Sequence, residues 1–273
     1  MEGPGDLFEK DGAASWPQAV HPQLHVGTSG WAYPDWVGPF YPTGTAPGDF
    51  LATYSRRFGA VEIDSTFYRT PTAKTVEAWN AATPEDFRFA PKVPQVITHE
   101  KRLEGCADEL DAFLDVMRRL GPKLGPLVFQ FDAGFRVEAL PALRAFVEGL
   151  PPDLRYAVEI RHRSWLRDDL YQLLEKYKVA LVLADLYYMP KLDKVTTDFS
   201  YIRLLGRRSA VPDDFSRVRL DRDRELSLWA GRIRTYLDRR LEVFAFANNR
   251  FQGHGPATAR ALLTRLAGNP PTS

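Results

Sequence analysis

The sequence predicts an α/β fold, a single (β/α)8 TIM-type barrel. Short apolar strands alternate with amphipathic segments, eight strands can be counted, and no internal repeat or Pro/Gly-rich linker divides the 273 residues. An open doubly wound sheet is the runner-up for the same alternation. A chain of this length can bury a large core in one domain.

Residues 1–22, rich in Gly, Asp, Ala and Pro, read as a disordered tail, and the barrel domain covers 23–267. Strand one is LHVGTS, 24–29; the helix over 47–58 has Pro47 in its first turn and Gly59 as a C-terminal cap. Strand two, AVEID at 60–64, precedes a helix over 72–82, and strand three, FRFAPKV at 87–93, precedes one over 105–120. PLVFQF at 126–131 is strand four, with a helix over 139–149. RYAVEIR at 155–161 is strand five, and Ser164 caps the helix over 165–177. Strand six, VALVLA at 179–184, leads into 185–198, where the helix is irregular or missing. Strand seven is FSYIRL, 199–204; the helix after it, 223–240, puts Leu226, Trp229, Ile233, Tyr236 and Leu237 on one face. Strand eight, VFAFAN at 243–248, precedes a helix over 256–267, and 268–273 read as a frayed end.

Charge is almost balanced, with 36 basic and 35 acidic residues, so no global charge signature of nucleic-acid or membrane binding exists. Cys106 is the only cysteine, which excludes an internal disulfide and fits a reducing cytosol. No apolar run approaches the ~20 residues of a membrane span, and no signal pattern opens the chain. The expectation is a soluble, cytoplasmic protein with no membrane partner.

In a barrel, chemistry sits at the C-terminal ends of the strands. Late in the strands, or just after them, stand Ser29, Trp31, Glu62, Asp64, Lys92, Gln130, Glu159, Arg161, His162, Asp185, Arg203, Asn248 and Asn249. Alternation places Glu159 with Arg161 on one face, and Glu62 with Asp64 on another. Glu62 and Glu159 form a candidate acid and base; a glycosidase would hold two such carboxyls about 5–10 Å apart. Trp31, Trp36, Tyr68 and Trp165 are candidates to stack on a sugar or base. A multinuclear zinc centre lacks histidines: of five, His21 and His25 lie away from the site, leaving His99, His162 and His254. One magnesium or manganese on Glu62, Asp64, Glu159 and Asp185 is compatible with the sequence but not required by it, and no cofactor is assigned. For an anion the local pattern is stronger. Gly253 and Gly255 precede Pro256 at a helix start, and Arg207 and Arg208 follow strand seven, where barrels often bind phosphate.

GTSGWAYPDWVGPFYP (27–42), VEIDSTFYRTP (61–71), FRFAPKVPQVITH (87–99), LGPLVFQF (124–131), AVEIRHRSW (157–165), YIRLLGR (201–207) and FANNRFQGHGPATARAL (246–262) resemble the YecE-like family, domain of unknown function 72. The resemblance runs from about 24 to 267. It implies a TIM-type barrel, brings no established activity, and marks Trp31, Glu62, Ser65, Tyr68, Lys92, His99, Glu159, Arg161, His162, Trp165, Arg203, Asn248 and Asn249 as site residues. Against the family pattern, Arg163 replaces Pro, Leu205 replaces His, Arg250 replaces His and Thr258 replaces Asn. Loss of the histidine at 205 removes a proton carrier near strand seven, and Arg250 strengthens an anion site.

The leading expectation is an enzyme acting on a small anionic substrate, a phosphorylated metabolite being one such class. Glu62 or Glu159 would be general base or acid and His162 a second proton carrier, while Lys92, Arg161 and Arg203 neutralise developing charge. A nucleic-acid-processing or nucleic-acid-binding barrel is one alternative; a non-catalytic ligand- or partner-binding scaffold is another.

Overall fold

The computed structural model describes residues 20–268, so the tail read at 1–22 and the frayed end at 268–273 lie almost wholly outside the described residues. Eight parallel strands appear where the apolar runs stand: β1 Leu24–Thr28, β2 Ala60–Ile63, β3 Arg88–Pro91, β4 Leu127–Gln130, β5 Tyr156–Glu159, β6 Ala180–Leu186, β7 Phe199–Gly206 and β8 Glu242–Ala247. The helices are α1 Phe50–Ser55, α2 Ala73–Ala81, α3 Ala107–Met117, α4 Leu140–Glu148, α5 Asp168–Lys176, α6 Asp223–Asp238, α7 Asn249–Gln252 and α8 Gly255–Ala267. Between β6 and β7 no helix forms. Pro47 opens a 3-10 turn ahead of α1, whereas Gly59 lies four residues beyond its end and caps nothing. Ser164 is not the cap of α5, which starts at Asp168; its hydroxyl accepts from Val137 N–H instead.

The expected closed eightfold barrel is not formed. The strands make a curled six-stranded sheet, in the order β1-β8-β7-β6-β5-β4, and a separate two-stranded sheet, β2-β3. Only isolated bridges join the two sheets, Ser29 with Glu62 on one side, and Phe89 with Leu124 and Lys92 with Val128 on the other. Local chemistry interrupts each ladder. Between β3 and β4 prolines intervene. Lys92 N–H donates to Ile63 O on β2 while Val93 N–H donates to Val128 O on β4. By alternation the nitrogen of Pro91 also faces β4, and it has no proton to give. Pro126 breaks the alternation on the other strand, since Gly125 donates to Phe89 O but Leu127 donates to Arg155 O.

Between β1 and β2 a side chain takes the place of the ladder. The Tyr54 hydroxyl accepts from Thr28 N–H at 2.8 Å and donates to Ala60 O at 3.0 Å. Gly27 permits this contact, because a Cβ there would lie 1.9 Å from Ala60 O.

The interior is also unlike the layers of branched residues a regular barrel uses. Ala60, Ala90, Val128, Ala157, Ala180 and Val182 supply little volume, and the rings of Phe199, Tyr201, Phe244 and Phe246, all from β7 and β8, fill the space. At the N-terminal end, Glu242 accepts from His25 at 2.8 Å and Arg155 at 2.7 Å, and Arg155 covers Phe199. A second, larger core packs the helices onto the outer faces; Leu226, Trp229, Ile233 and Tyr236 of α6 are buried there, as their spacing predicts. Among the described residues no helix is long and apolar enough to cross a membrane.

Candidate functional site

Side chains alternate along a strand, so the face that carries Ala60, Ala90, Val128, Ala157 and Tyr201 also carries, two residues on, Glu62, Lys92, Gln130, Glu159 and Arg203. The interior therefore turns from apolar to polar in one step at the C-terminal edge of the strands. Arg203 is the hub. Its Nη2 donates to Glu62 Oε1 at 2.7 Å and its Nη1 to Glu159 Oε2 at 2.5 Å, and all three side chains are fully buried. Arg161 Nε donates to Glu159 Oε1 at 2.6 Å, and Tyr201 donates to Glu62 Oε2 at 2.8 Å. Asp64 lies 3.6 Å from Arg203 and 3.9 Å from Lys92.

With every group ionised, three carboxylates (Glu62, Asp64, Glu159) face three cations (Lys92, Arg161, Arg203). The two buried glutamates differ. Burial works to raise Glu159, but the guanidiniums of Arg161 and Arg203 outweigh it and hold the carboxyl at about 2. Glu62 has only one guanidinium; burial pushes it above the usual carboxylate range, with Asp64 adding to the rise. Lys92 is lowered to about 8 by burial, with Arg203 assisting and Asp64 opposing.

Two cations of the ring keep donors in reserve. No described residue accepts a hydrogen bond from Nζ of Lys92, which sits 3.8 Å from the centre of the Phe67 ring. Arg161 uses only Nε within the protein, and its side chain is a quarter exposed. His99 stands nearby, its Nδ1 2.8 Å from Thr98 Oγ1 and its ring edge-on to Phe67; burial lowers its pKa, and Asp132, Lys92 and Arg161 all act on it. His162 accepts from Ser164 N–H through Nδ1 at 3.1 Å, which leaves Nε2 for other partners. On the rim, Ser65 is exposed, and so are Tyr68 and Tyr187.

Other sequence candidates fall elsewhere. Trp165 is wholly buried against Phe135, whose carbonyl accepts its N–H, and Trp36 is buried against His254. Trp31 packs edge-on against Trp79 in a side groove between α1 and α2. Asp185 faces outward and accepts from Trp229 and Lys191, so it does not join Glu62 and Glu159. Among the described residues no group of three or more His, Cys, Asp or Glu side chains is placed to hold a metal ion.

The glycines after β8 have conformational work of their own. Gly253 has φ +111° and a Cβ there would meet Arg217 O at 2.6 Å. At the start of α8, Gly255 N–H donates to Asn249 Oδ1 at 2.8 Å, Ala257 N–H to His254 Nδ1 at 3.4 Å, and Pro256 has no N–H. That helix start has its donors engaged. Asn248 caps α7 through Arg250 N–H, Arg207 leans on Ser209 and the Tyr187 ring, and Arg250 is bound to Asp213 and the Val211 carbonyl. Sequence reasoning missed Tyr201, Phe67 and Tyr33. Tyr201 was legible, standing two residues before Arg203 on the same face. Tyr33, whose hydroxyl donates to Ser29 O, and Phe67 come from loops with no periodic signal.

A family model described as protein of unknown function DUF72 matches residues 25–272. The chain is 35% identical over 139 residues to UPF0759 protein YecE of Escherichia coli K12, covering 51% of this chain and 48% of that protein. It is 32% identical over 157 residues to UPF0759 protein YunF of Bacillus subtilis 168, covering 55% and 54%. The matched stretch thus spans about half the length of the curated relatives. A DUF72 family crystal structure from Thermotoga maritima MSB8 superposes with a TM-score of 0.71 at 28% identity, covering 88% of this chain and 97% of that one. One from Enterococcus faecalis V583 is alike in fold, with a TM-score of 0.74 at 22% identity, covering 90% and 96%.

Proposed function

Because this chain belongs to the family described as protein of unknown function DUF72, we propose its function from the site alone: an enzyme acting on a small anionic substrate, by acid/base chemistry, at the C-terminal edge of its parallel strands. The observation that supports this reading is the pair of cations with unengaged donors, Lys92 and Arg161, on a ring otherwise closed on itself. An anion that reaches the ring meets Nζ of Lys92 and the terminal nitrogens of Arg161, in surroundings that screen charge poorly.

The roles divide by proton affinity. Glu159, at about 2, is too weak a base to carry protons near neutrality, so it positions Arg161 and Arg203. Lys92, at about 8, exchanges a proton at working pH, with His99 beside it as a second carrier; His162, with Nδ1 engaged by Ser164, presents Nε2 for a substrate contact. Arg203 fixes the two glutamates and holds positive charge beneath the substrate.

Thermal unfolding against phosphate, sulfate, sugar phosphates and small carboxylates, with and without magnesium, tests the reading. At ~100 times its dissociation constant a ligand adds about 2.7 kcal/mol. The expected result is a selective shift that Arg161→Gln removes; a flat panel across these anions counts against the proposal. The exposed Tyr68 and Tyr187, the latter backed by Arg207, support a second reading, a single-stranded nucleic acid stacked on the rim. Stabilisation by short single strands, with affinity falling steeply as salt rises, would favour it.

A further inference from the structure

We propose that Lys92 is an imine-forming amine and that the substrate is a small aldehyde or ketone carrying its own negative charge. The inference rests on the anion-site reading above and adds the substrate's reacting group to it.

The chain contains its own control. Lys92 and Lys123 are both 8% exposed. Lys123 is caged: its Nζ donates to Asn80 O at 2.5 Å, Thr83 O at 2.8 Å and Thr83 Oγ1 at 3.3 Å. Lys92 has no such cage. Its nearest carboxylate oxygen is 3.9 Å away, and beneath it the Phe67 ring gives a cation–π contact in place of an oxygen acceptor. A buried ammonium without oxygen acceptors is costly, and the Phe67 face offsets only part of that cost, so Lys92 gives up its proton more readily than a caged lysine and exposes the lone pair that is the nucleophile.

The backbone under it is fixed on three sides. Lys92 N–H donates to Ile63 O at 3.1 Å, Lys92 O accepts from Thr66 Oγ1 at 2.7 Å, and Val93 N–H donates to Val128 O at 2.9 Å. The amine is therefore carried on a rigid strand end. Arg161 supplies the matching anion contact and Arg203 a second positive charge.

The step balances without an oxidant or reductant. The neutral Nζ attacks the carbonyl carbon, a C–N bond forms, and the C=O electron pair moves to oxygen. One proton then passes from nitrogen to that oxygen, giving a carbinolamine. A neighbouring acid or solvent protonates the hydroxyl, the C–O bond breaks and water leaves as the nitrogen lone pair closes the C=N bond, and the iminium then returns its remaining N–H proton to that acid or to solvent. Carbonyl plus amine has become imine plus water.

The test is reductive trapping on the full chain. Glyoxylate, pyruvate and dihydroxyacetone phosphate are added separately with cyanoborohydride, and modified lysines are mapped by peptide mass spectrometry. The first two probes carry a carboxylate and the third a phosphate, so they also report which anion is preferred. At pH 7 an amine at about 8 is roughly one-tenth neutral, against roughly one in 3,000 for an ordinary lysine. The expected result is modification of Lys92 at least about tenfold over Lys123 and the surface lysines, with an imine-forming rate that rises with pH through a midpoint near 8. The groups facing Nζ that shape this profile are Asp64, Glu62, Glu159, Arg203 and His99. Lys92→Arg should abolish the adduct; the wild-type peptide map decides the matter even if that variant fails to fold. Stabilisation by the three probes without trapping overturns the imine and leaves the anion site standing. Neither stabilisation nor trapping overturns both. Adducts spread evenly over the lysines overturn the imine.

Discussion

Arg203 Nη1 lies 2.5 Å from Glu159 Oε2 with both side chains sealed from solvent. Glu159 also receives Arg161, so it answers two guanidiniums, while Glu62 shares one of them and a tyrosine hydroxyl. The two substitutions to glutamine should therefore differ. Glu159→Gln leaves Arg161 without its carboxylate and Arg203 with Glu62 as its one close partner, and losing one partner of a buried pair costs about 3–5 kcal/mol. Glu62→Gln removes a carboxylate that burial already holds above its usual range, and it leaves Arg203 paired. Its loss should be the smaller of the two, about 1–3 kcal/mol, because the glutamine keeps one acceptor for the two donors, Arg203 and Tyr201, that Glu62 serves. Urea unfolding of both variants checks this, and equal losses would contradict it.

Tyr54→Phe removes the hydroxyl between β1 and β2. Thr28 N–H and Ala60 C=O are then buried without their partner, for a loss of about 1–3 kcal/mol. Hydrogen exchange gives the local readout: the Thr28 amide should lose protection by more than the global change explains. An unchanged Thr28 amide would mean that the seam does not depend on this oxygen.

These seams show where sequence reading ran out. The strands were legible because apolar alternation is local, and the polar ring was legible because Glu62, Lys92, Gln130, Glu159 and Arg203 each follow an apolar residue of the same face. Closure of the barrel was not. It depends on which side of β3 the missing N–H of Pro91 falls, and on a hydroxyl from α1 reaching into a strand gap, and neither has a periodic signature. The glycine pattern after β8 suggested free amides for an anion. Asn249 and His254 occupy those amides from six and three residues away, and the capping roles of Asn and His become visible only with the turn in place.

Gly27→Ala and Gly59→Ala make a matched pair. A methyl at Gly27 would lie 1.9 Å from Ala60 O and 2.8 Å from the Tyr54 hydroxyl, so the two sheets must part. A loss of about 3 kcal/mol or more is expected. At Gly59 a Cβ meets nothing within 4 Å and the backbone is not left-handed, so alanine should be neutral or stabilise by up to about 1 kcal/mol. Thermal melts of the two variants settle the contrast, and a tolerated Gly27→Ala would show that the close approach is soft.

The acid limb of stability should trace to two carboxylates at opposite ends of the strands. Glu159, between Arg161 and Arg203, and Glu242, between His25 and Arg155, are each held at about 2, against 4.5 for a free glutamate. Between those values the unfolded chain binds a proton that the folded chain refuses, so stability rises with pH across this window. Each group contributes a slope of up to about 1.4 kcal/mol per pH unit, and Glu242, being partly exposed, contributes less. Their stabilisation is complete above about pH 4.5 and is lost as pH falls toward about 2. Glu62 opposes them: its raised pKa makes folding take up a proton just above 4.5, so its contribution falls as pH rises there. Urea unfolding from pH 2 to 6 should show a steep acid limb in the wild type, shallower in Glu159→Gln, and the gap between the two should close toward pH 2. A gap that stays constant over the range would mean that Glu159 is not ionised in the folded protein and that Arg203 is balanced by another group.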